Sequence, residues 1–330
     1  MTQLKWGVLG AAGIARKMFL PAIATCDNAT VAAIASRSAE KAEAMAEAFG
    51  IATIYGDYDA LLADPNIDAV YVPLPNHRHV DMTISALEAG KHVLCEKPIA
   101  MAADEVLQIQ TAARETGKSA VEGFMVAYHP QWDQVRAWIA DGKIGRIQRI
   151  EGYFTYYLDD PSNIRNREDG GALRDVGVYP IFTTRLVTGQ EPRRVLGRMT
   201  FDKTAEADLS TSAWMEFDGF DAAFHVNTRA DRSENLTVFG THGRIEVPNA
   251  YNPPNSGVHK IFRFAGNALA ETAMFQDVFQ FAEQLAHLSD VFAGKGAARV
   301  SLENSWANQR VVDAIRLSAA KTDWVSLSSN

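Results

Sequence analysis

Short, almost wholly apolar runs alternate with longer amphipathic stretches over the first third of the chain. Runs at residues 4–9, 31–36, 69–73, 92–96 and 119–124 predict strands, and residues 39–49, 80–89 and 103–115 predict helices. Strands that are apolar on both faces and separated by helices imply βαβ crossovers and a parallel sheet covered on both sides. Residues 1–123 are therefore expected to form a doubly wound Rossmann domain.

The rhythm changes after Tyr128. A helix predicted over residues 130–140 leads into a β-rich stretch, 146–158, and then into a polar, turn-rich segment, 159–171. Further alternating runs follow at 195–201, 210–217, 222–229, 236–238 and 244–247. Joined by short connections, they predict an open mixed or antiparallel sheet. Helices are expected from about residue 274 to 292 and from 302 to 320. The expected class is α/β overall, with an α+β domain over residues 124–330 that binds substrate and mediates oligomerisation. Junctions between domains are favoured ligand sites.

Composition narrows the function classes. A chain of 330 residues accommodates two domains at roughly 100–200 residues each. With 47% apolar and 22% charged residues it has an ordinary globular make-up. A net charge of −8 with scattered Lys and Arg argues against nucleic acid as a partner. No apolar run reaches the roughly 18 residues of a membrane span, and the first residues lead directly into a strand, so a cytoplasmic location is expected. Cys26 and Cys95 form no Cys-x-x-Cys pair and are read as small buried side chains. The eight histidines show no metal-ligand spacing, so no metal is expected.

The segment from Gly7 to Ala15 follows the first predicted strand and opens a helix, the context in which a Gly-rich turn binds a dinucleotide. Gly10 suits the tight turn, and Ala12, Gly13 and Ile14 lead to a helix N-terminus whose N–H groups favour a pyrophosphate. Ala12 occupies the usual middle-glycine position. At the end of the second strand, where an NAD site places a carboxylate for the ribose 2′-hydroxyl, stand Ser36 and Arg37, with Lys41 one turn on. A hydroxyl and two cations suit a 2′-phosphate, so NADP(H) is preferred, with NAD(H) as the alternative.

Two further strand ends carry chemistry. Pro73-Leu74-Pro75-Asn76-His77-Arg78-His79 follows the third predicted strand; Pro73, Asn76 and His79 are cofactor-side candidates, His79 more as an orienting group. Glu96-Lys97-Pro98 follows the fourth, where a lysine points into the crevice at the carboxyl ends of a parallel sheet. His129, beside Pro130, is read as a structural helix-start residue.

Gly-x-x-Gly-x-x-x-Ile-Ala from Gly7, Pro-Asn-x-x-His from Pro75 and Glu-Lys-Pro from Glu96 resemble the glucose-fructose oxidoreductase/inositol dehydrogenase/rhizopine catabolism family, in order and spacing over the whole N-terminal domain. The resemblance continues through residues 122–130, 163–167 and 170–180, and is closest to the branch of dimeric dihydrodiol dehydrogenase and NADP-linked xylose dehydrogenases. Many family members carry His where this chain has Tyr179, whereas that branch has Tyr. Ala127 stands where near relatives carry a basic residue.

The resemblance implies hydride transfer between NADP(H) and a sugar, polyol or related carbonyl compound. It implies Tyr179 as acid/base, Lys97 as its electrostatic partner and substrate ligand, and Asp175 as an acceptor that orients substrate. Asp175 and Tyr179, four residues apart, share a helix face. A tyrosine serving as base near neutrality needs its pKa lowered by roughly 3 units, which a nearby ammonium in a dry cleft can supply. Arg165 is a further substrate-binding candidate in a polar connection that also holds Arg167; both arginines read equally well as surface charge. Alternatives are a trans-dihydrodiol dehydrogenase-type enzyme, a non-catalytic nucleotide-sensing regulator, and redox-assisted glycoside hydrolysis. Homodimers or homotetramers through the C-terminal sheet are also implied.

Overall fold

The computed structural model describes residues 3–160, 162–202 and 207–327. They form two compact units: the chain up to Tyr128 together with Phe279–Trp306, and His129–Val278 together with the chain from Ala307 onward.

The first unit is built on six parallel strands, β1 (Leu4–Leu9), β2 (Ala29–Ala35), β3 (Thr53–Tyr55), β4 (Ala69–Val72), β5 (His92–Cys95) and β6 (Ala120–Glu122). Their spatial order is β3-β2-β1-β4-β5-β6, the doubly wound arrangement. Val8 and Leu9 on β1 and all of β4 are buried, which explains why these strands carry no polar alternation. Strand order reverses between β1 and β4, so the crevice at their carboxyl ends is the expected ligand position. Helix Ala39–Phe49 starts on Ser38, whose side chain accepts from the Lys41 N–H, and ends on Gly50 in the left-handed conformation.

The division of the chain departs from a single cut at residue 123. The helix Gln280–Phe292 belongs to the first unit, because Phe281, Leu285, Leu288 and Phe292 are buried there. Phe292 lies 5.6 Å from Trp6 and stacks on His92 at 4.8 Å, while the Trp6 indole donates to Ser289 Oγ at 3.2 Å. This helix begins at Gln280 rather than near residue 274. Residues up to Gln276 continue an edge strand, and Asp277 then turns the chain with a positive φ of 52°.

Among the described residues the second unit carries nine strands: β7 (Ile147–Tyr157), β8 (Arg194–Phe201), β9 (Asp208–Glu216), β10 (Asp221–Asn227), β11 (Arg229–Gly240), β12 (Gly243–Pro248), β13 (Val258–Ala265), β14 (Ala268–Gln276) and β15 (Val325–Ser326). They are ordered β14-β13-β12-β11-β7-β10-β9-β8-β15. β7 and β10 run parallel and every other neighbouring pair is antiparallel, an open mixed sheet. Ile150 and Phe154 of β7, with Phe224, Val226 and Leu236 beside them, form a buried face that meets the helix Val178–Thr188. The opposite face presents Tyr153, Tyr157 and Trp214, with the Arg149 guanidinium 4.2 Å above the Trp214 ring. Among the described residues no helix is long and apolar enough to cross a membrane.

Candidate active site

The turn after β1 is shaped by Gly10. Its φ of +113° favours glycine, its N–H donates to Ala35 O at 2.8 Å, and an added Cβ would sit 3.0 Å from Leu74 Cδ2. Ala12, Gly13 and Ile14 then open a helical segment, residues 13–23, whose turn Ala15–Phe19 is π-wound. Gly13 is exposed, and beyond its chain neighbours and its own helix backbone no atom among the described residues lies within 4 Å of where its Cβ would be. The open space over a helix start is a cradle into which a pyrophosphate fits.

At the end of β2, Ser36 is buried and its Oγ accepts from the Ser38 N–H at 3.1 Å. Arg37 and Lys41 are exposed beside it, and residues 36–39 include no acid. This donor set fits a 2′-phosphate better than a 2′-hydroxyl.

The neighbouring rim is tied together by His79. Pro73 and His79 are buried, and Asn76, half-buried, starts the 3-10 turn Asn76–Arg78. The His79 ring nitrogens lie 2.7 Å from Pro98 O and 2.8 Å from Leu74 O. Both partners are acceptors, so an imidazolium would satisfy both and a neutral ring only one. Either way the ring joins the turn after β4 to the turn after β5. Glu96 braces that second turn: Oε1 accepts from the Tyr71 hydroxyl at 2.6 Å and Oε2 from the Lys97 N–H at 3.2 Å. Lys97 follows, half-buried, in a cis peptide with Pro98. The buried Glu122 accepts from the Ile99 N–H at 3.0 Å and fixes the outgoing chain.

The second unit holds the other candidates. Asp175 lies in a π-wound turn, Leu173–Gly177, that runs directly into the helix carrying Tyr179. Arg165 Nε donates to Asp175 Oδ1 at 3.1 Å, and the Tyr156 hydroxyl donates to Oδ2 in a short hydrogen bond. The adjacent carboxylate raises the Arg165 pKa. Burial and then the same carboxylate raise that of Tyr156. Tyr179 is buried, with its ring stacked 5.8 Å from Tyr251 and 6.0 Å from Phe154. Arg167 instead donates to Ser162 O at 3.3 Å.

Gly10, Ala12, Gly13, Ile14, Ser36, Arg37, Lys41, Pro73, Asn76, His79, Glu96 and Lys97 thus belong to the first unit, and Arg165, Asp175 and Tyr179 to the second. Arg165 meets Asp175 as an ion pair, a contact that residue spacing alone did not indicate. Tyr156, Tyr251 and Tyr71 were not singled out from sequence. The available signal for Tyr156 was its place in an alternating strand, on the side shared with Phe154.

The family model described as an oxidoreductase family with an NAD-binding Rossmann fold matches residues 4–124, and the GFO/IDH/MocA C-terminal domain matches residues 132–246. The chain belongs to the Gfo/Idh/MocA family. Relatives of this Gfo/Idh/MocA protein cover nearly all of it. An uncharacterized oxidoreductase of Rhizobium meliloti is 38% identical over 98% of this chain and 99% of its own. A D-xylose 1-dehydrogenase (NADP(+)) of Haloferax volcanii is 33% identical over 96% and 97%. Among solved structures, a 3-ketoreductase from Actinomadura kijaniata in complex with NADP and TDP-benzene superposes with a TM-score of 0.91. It is 30% identical and covers 96% of this chain and 98% of that one. As a Gfo/Idh/MocA member the protein is an NAD(P)-binding oxidoreductase.

Proposed function

We propose that this enzyme uses NADP(H) to interconvert a CH–OH group and the matching carbonyl on a sugar or related polyol. The observation that carries the reading is the end of β2, where Ser36, Arg37 and Lys41 replace the expected carboxylate. The NADP-linked dehydrogenase and ketoreductase relatives support both the cofactor and the sugar-like substrate.

The nicotinamide, when bound, supplies or accepts the hydride. In this reading Tyr179 exchanges the substrate hydroxyl proton, Asp175 accepts from a substrate hydroxyl, and Lys97 lends positive charge to the reacting oxygen. Gly10, Ala12, Gly13 and Ile14 hold the pyrophosphate, Ser36, Arg37 and Lys41 the 2′-phosphate, and Pro73, Asn76 and Glu96 line the ribose and nicotinamide side. His79 orients that rim.

The reading extends to assembly and location. The aromatic outer face around Tyr153, Tyr157 and Trp214 supports a homodimer or homotetramer through the second unit's sheet, which light scattering of the purified protein checks. Two buried free thiols, Cys26 and Cys95, are compatible with a reducing cytoplasm.

The deciding experiment follows absorbance at 340 nm with NADP or NAD and a panel of aldoses, keto-sugars, inositols and vicinal diols. NADP-linked turnover of a sugar is expected. Turnover confined to NAD, or to aromatic dihydrodiols, would overturn the cofactor or the substrate half of the reading.

A further inference from the structure

We propose that Tyr156 is a positioning residue, and that with Arg165 it fixes the rotation of the Asp175 carboxylate and keeps it charged. The proposal rests on the reading above that Asp175 is the acceptor for a substrate hydroxyl. It assigns Arg165 chiefly to Asp175 rather than to substrate.

Each carboxylate oxygen receives a donor from a different element. Tyr156, on β7, donates to Oδ2; Arg165, in the 3-10 turn Ile164–Asn166, donates to Oδ1 at 3.1 Å. A carboxylate gripped at both oxygens cannot rotate about its terminal torsion, and an ionised carboxylate offers about four lone-pair sites in all. A substrate hydroxyl would then meet an acceptor whose direction is already set.

Both donors are themselves held. β7 lies inside the sheet between β10 and β11. The ladder to β11 is irregular between Arg229 and Ser233, opposite the stretch of β7 that bears Tyr156. Irregularities of this kind re-aim side chains next to active sites. Arg165 is anchored through its N–H to Asn163 Oδ1 at 3.1 Å and through its carbonyl, which accepts from Gly171 N–H at 2.8 Å.

The charge state is fixed from the same directions. Asp175 is faced by Tyr156 from β7 and by Arg165 from the turn, while Tyr179 of the following helix acts on Arg165 and Arg229 of β11 acts on Tyr156. Burial and the carboxylate keep the Tyr156 phenol protonated, so it donates throughout the working pH range. Hydrogen bonds to the ionised form favour ionisation.

The test is a carbon-13 NMR titration of protein labelled at its aspartate carboxyls. The Asp175 signal is assigned by its absence in Asp175→Asn and followed in the parent and in Tyr156→Phe. Tyr156→Phe keeps the ring and removes one hydroxyl, and it is expected to move the Asp175 midpoint upward by about one unit with little change in melting temperature. Arg165→Lys, which keeps the charge but loses the Nε geometry, is expected to shift it less than Arg165→Leu. A midpoint that stays put in both Tyr156→Phe and Arg165→Leu would overturn the proposal. If the midpoint moves but Asp175→Asn turns over the sugar panel at the parent rate, the acceptor role of Asp175 fails and the positioning by Tyr156 stands.

Discussion

At the scale of single residues, the surroundings of each candidate define what its removal does. Lys97 and Tyr179 lie away from the Gly10 turn in sequence and in element. Lys97→Ala and Tyr179→Phe are therefore expected to lower turnover by at least about a thousandfold while the affinity for NADPH, read by fluorescence, changes little. Near-normal turnover in both variants would refute the assigned chemistry. Arg37 is exposed beside the buried Ser36, and residues 36–39 include no acid. Arg37→Asp should invert the preference between NADP and NAD by roughly a hundredfold or more in kcat/KM, since a bidentate cation is exchanged for a like charge. An unchanged ratio would mean that another group holds the phosphate.

At the scale of elements, the loop that presents Arg165 depends on Gly171. Its φ is +95°, and an added Cβ would lie 2.1 Å from Asp208 Oδ1, which is itself buried. Gly171→Ala should cost about 2–4 kcal/mol in urea unfolding, combining backbone strain with displacement of a buried carboxyl. A loss below about 1 kcal/mol would show that the loop has room to move. Elements whose sequence periodicity is backed by burial were legible in the chain: β1 and the helix Ala39–Phe49 lie where the apolar pattern places them. β3 was not, being three residues of which two are exposed, and β14 was not, because an exposed edge strand buries too little to leave a period-2 signature. The strand residues before Asp277 were instead absorbed into the helix that follows. The tight turn at Gly10 was legible because glycine chemistry is local. Tyr156 was hidden because its meeting with Asp175 is made by sheet register and a distant turn, and three tyrosines of β7 look alike in sequence.

At the scale of the whole molecule, two neutral histidines, His129 buried and His92 half-buried, tie stability to pH. Burial pushes His129 down to about 3, with help from His259, and His92 down to about 4, from an ordinary value of 6.5. His129 Nδ1 accepts from the Gln131 N–H at 3.1 Å and His92 Nδ1 from the Ser119 N–H at 3.1 Å, so both must stay unprotonated there. The unfolded chain binds protons on these rings below about pH 6.5, whereas the folded chain does so only near pH 3–4. Their contribution is complete above pH 6.5 and falls away as the pH drops toward 4. The urea midpoint should therefore decrease from pH 7 to pH 5, and the decrease should be smaller in His129→Gln. An equal slope in that variant would place the acid sensitivity elsewhere.

The chain crosses between its two units three times, after Tyr128, after Val278 and after Trp306. A ribosome making this protein releases the six parallel strands long before it releases Phe292, which stacks on His92 and packs on Trp6. The nascent first unit must wait, with that apolar flank uncovered, while β7 to β14 of the second sheet are synthesised. Neither unit can then be exchanged or expressed as one contiguous stretch of chain.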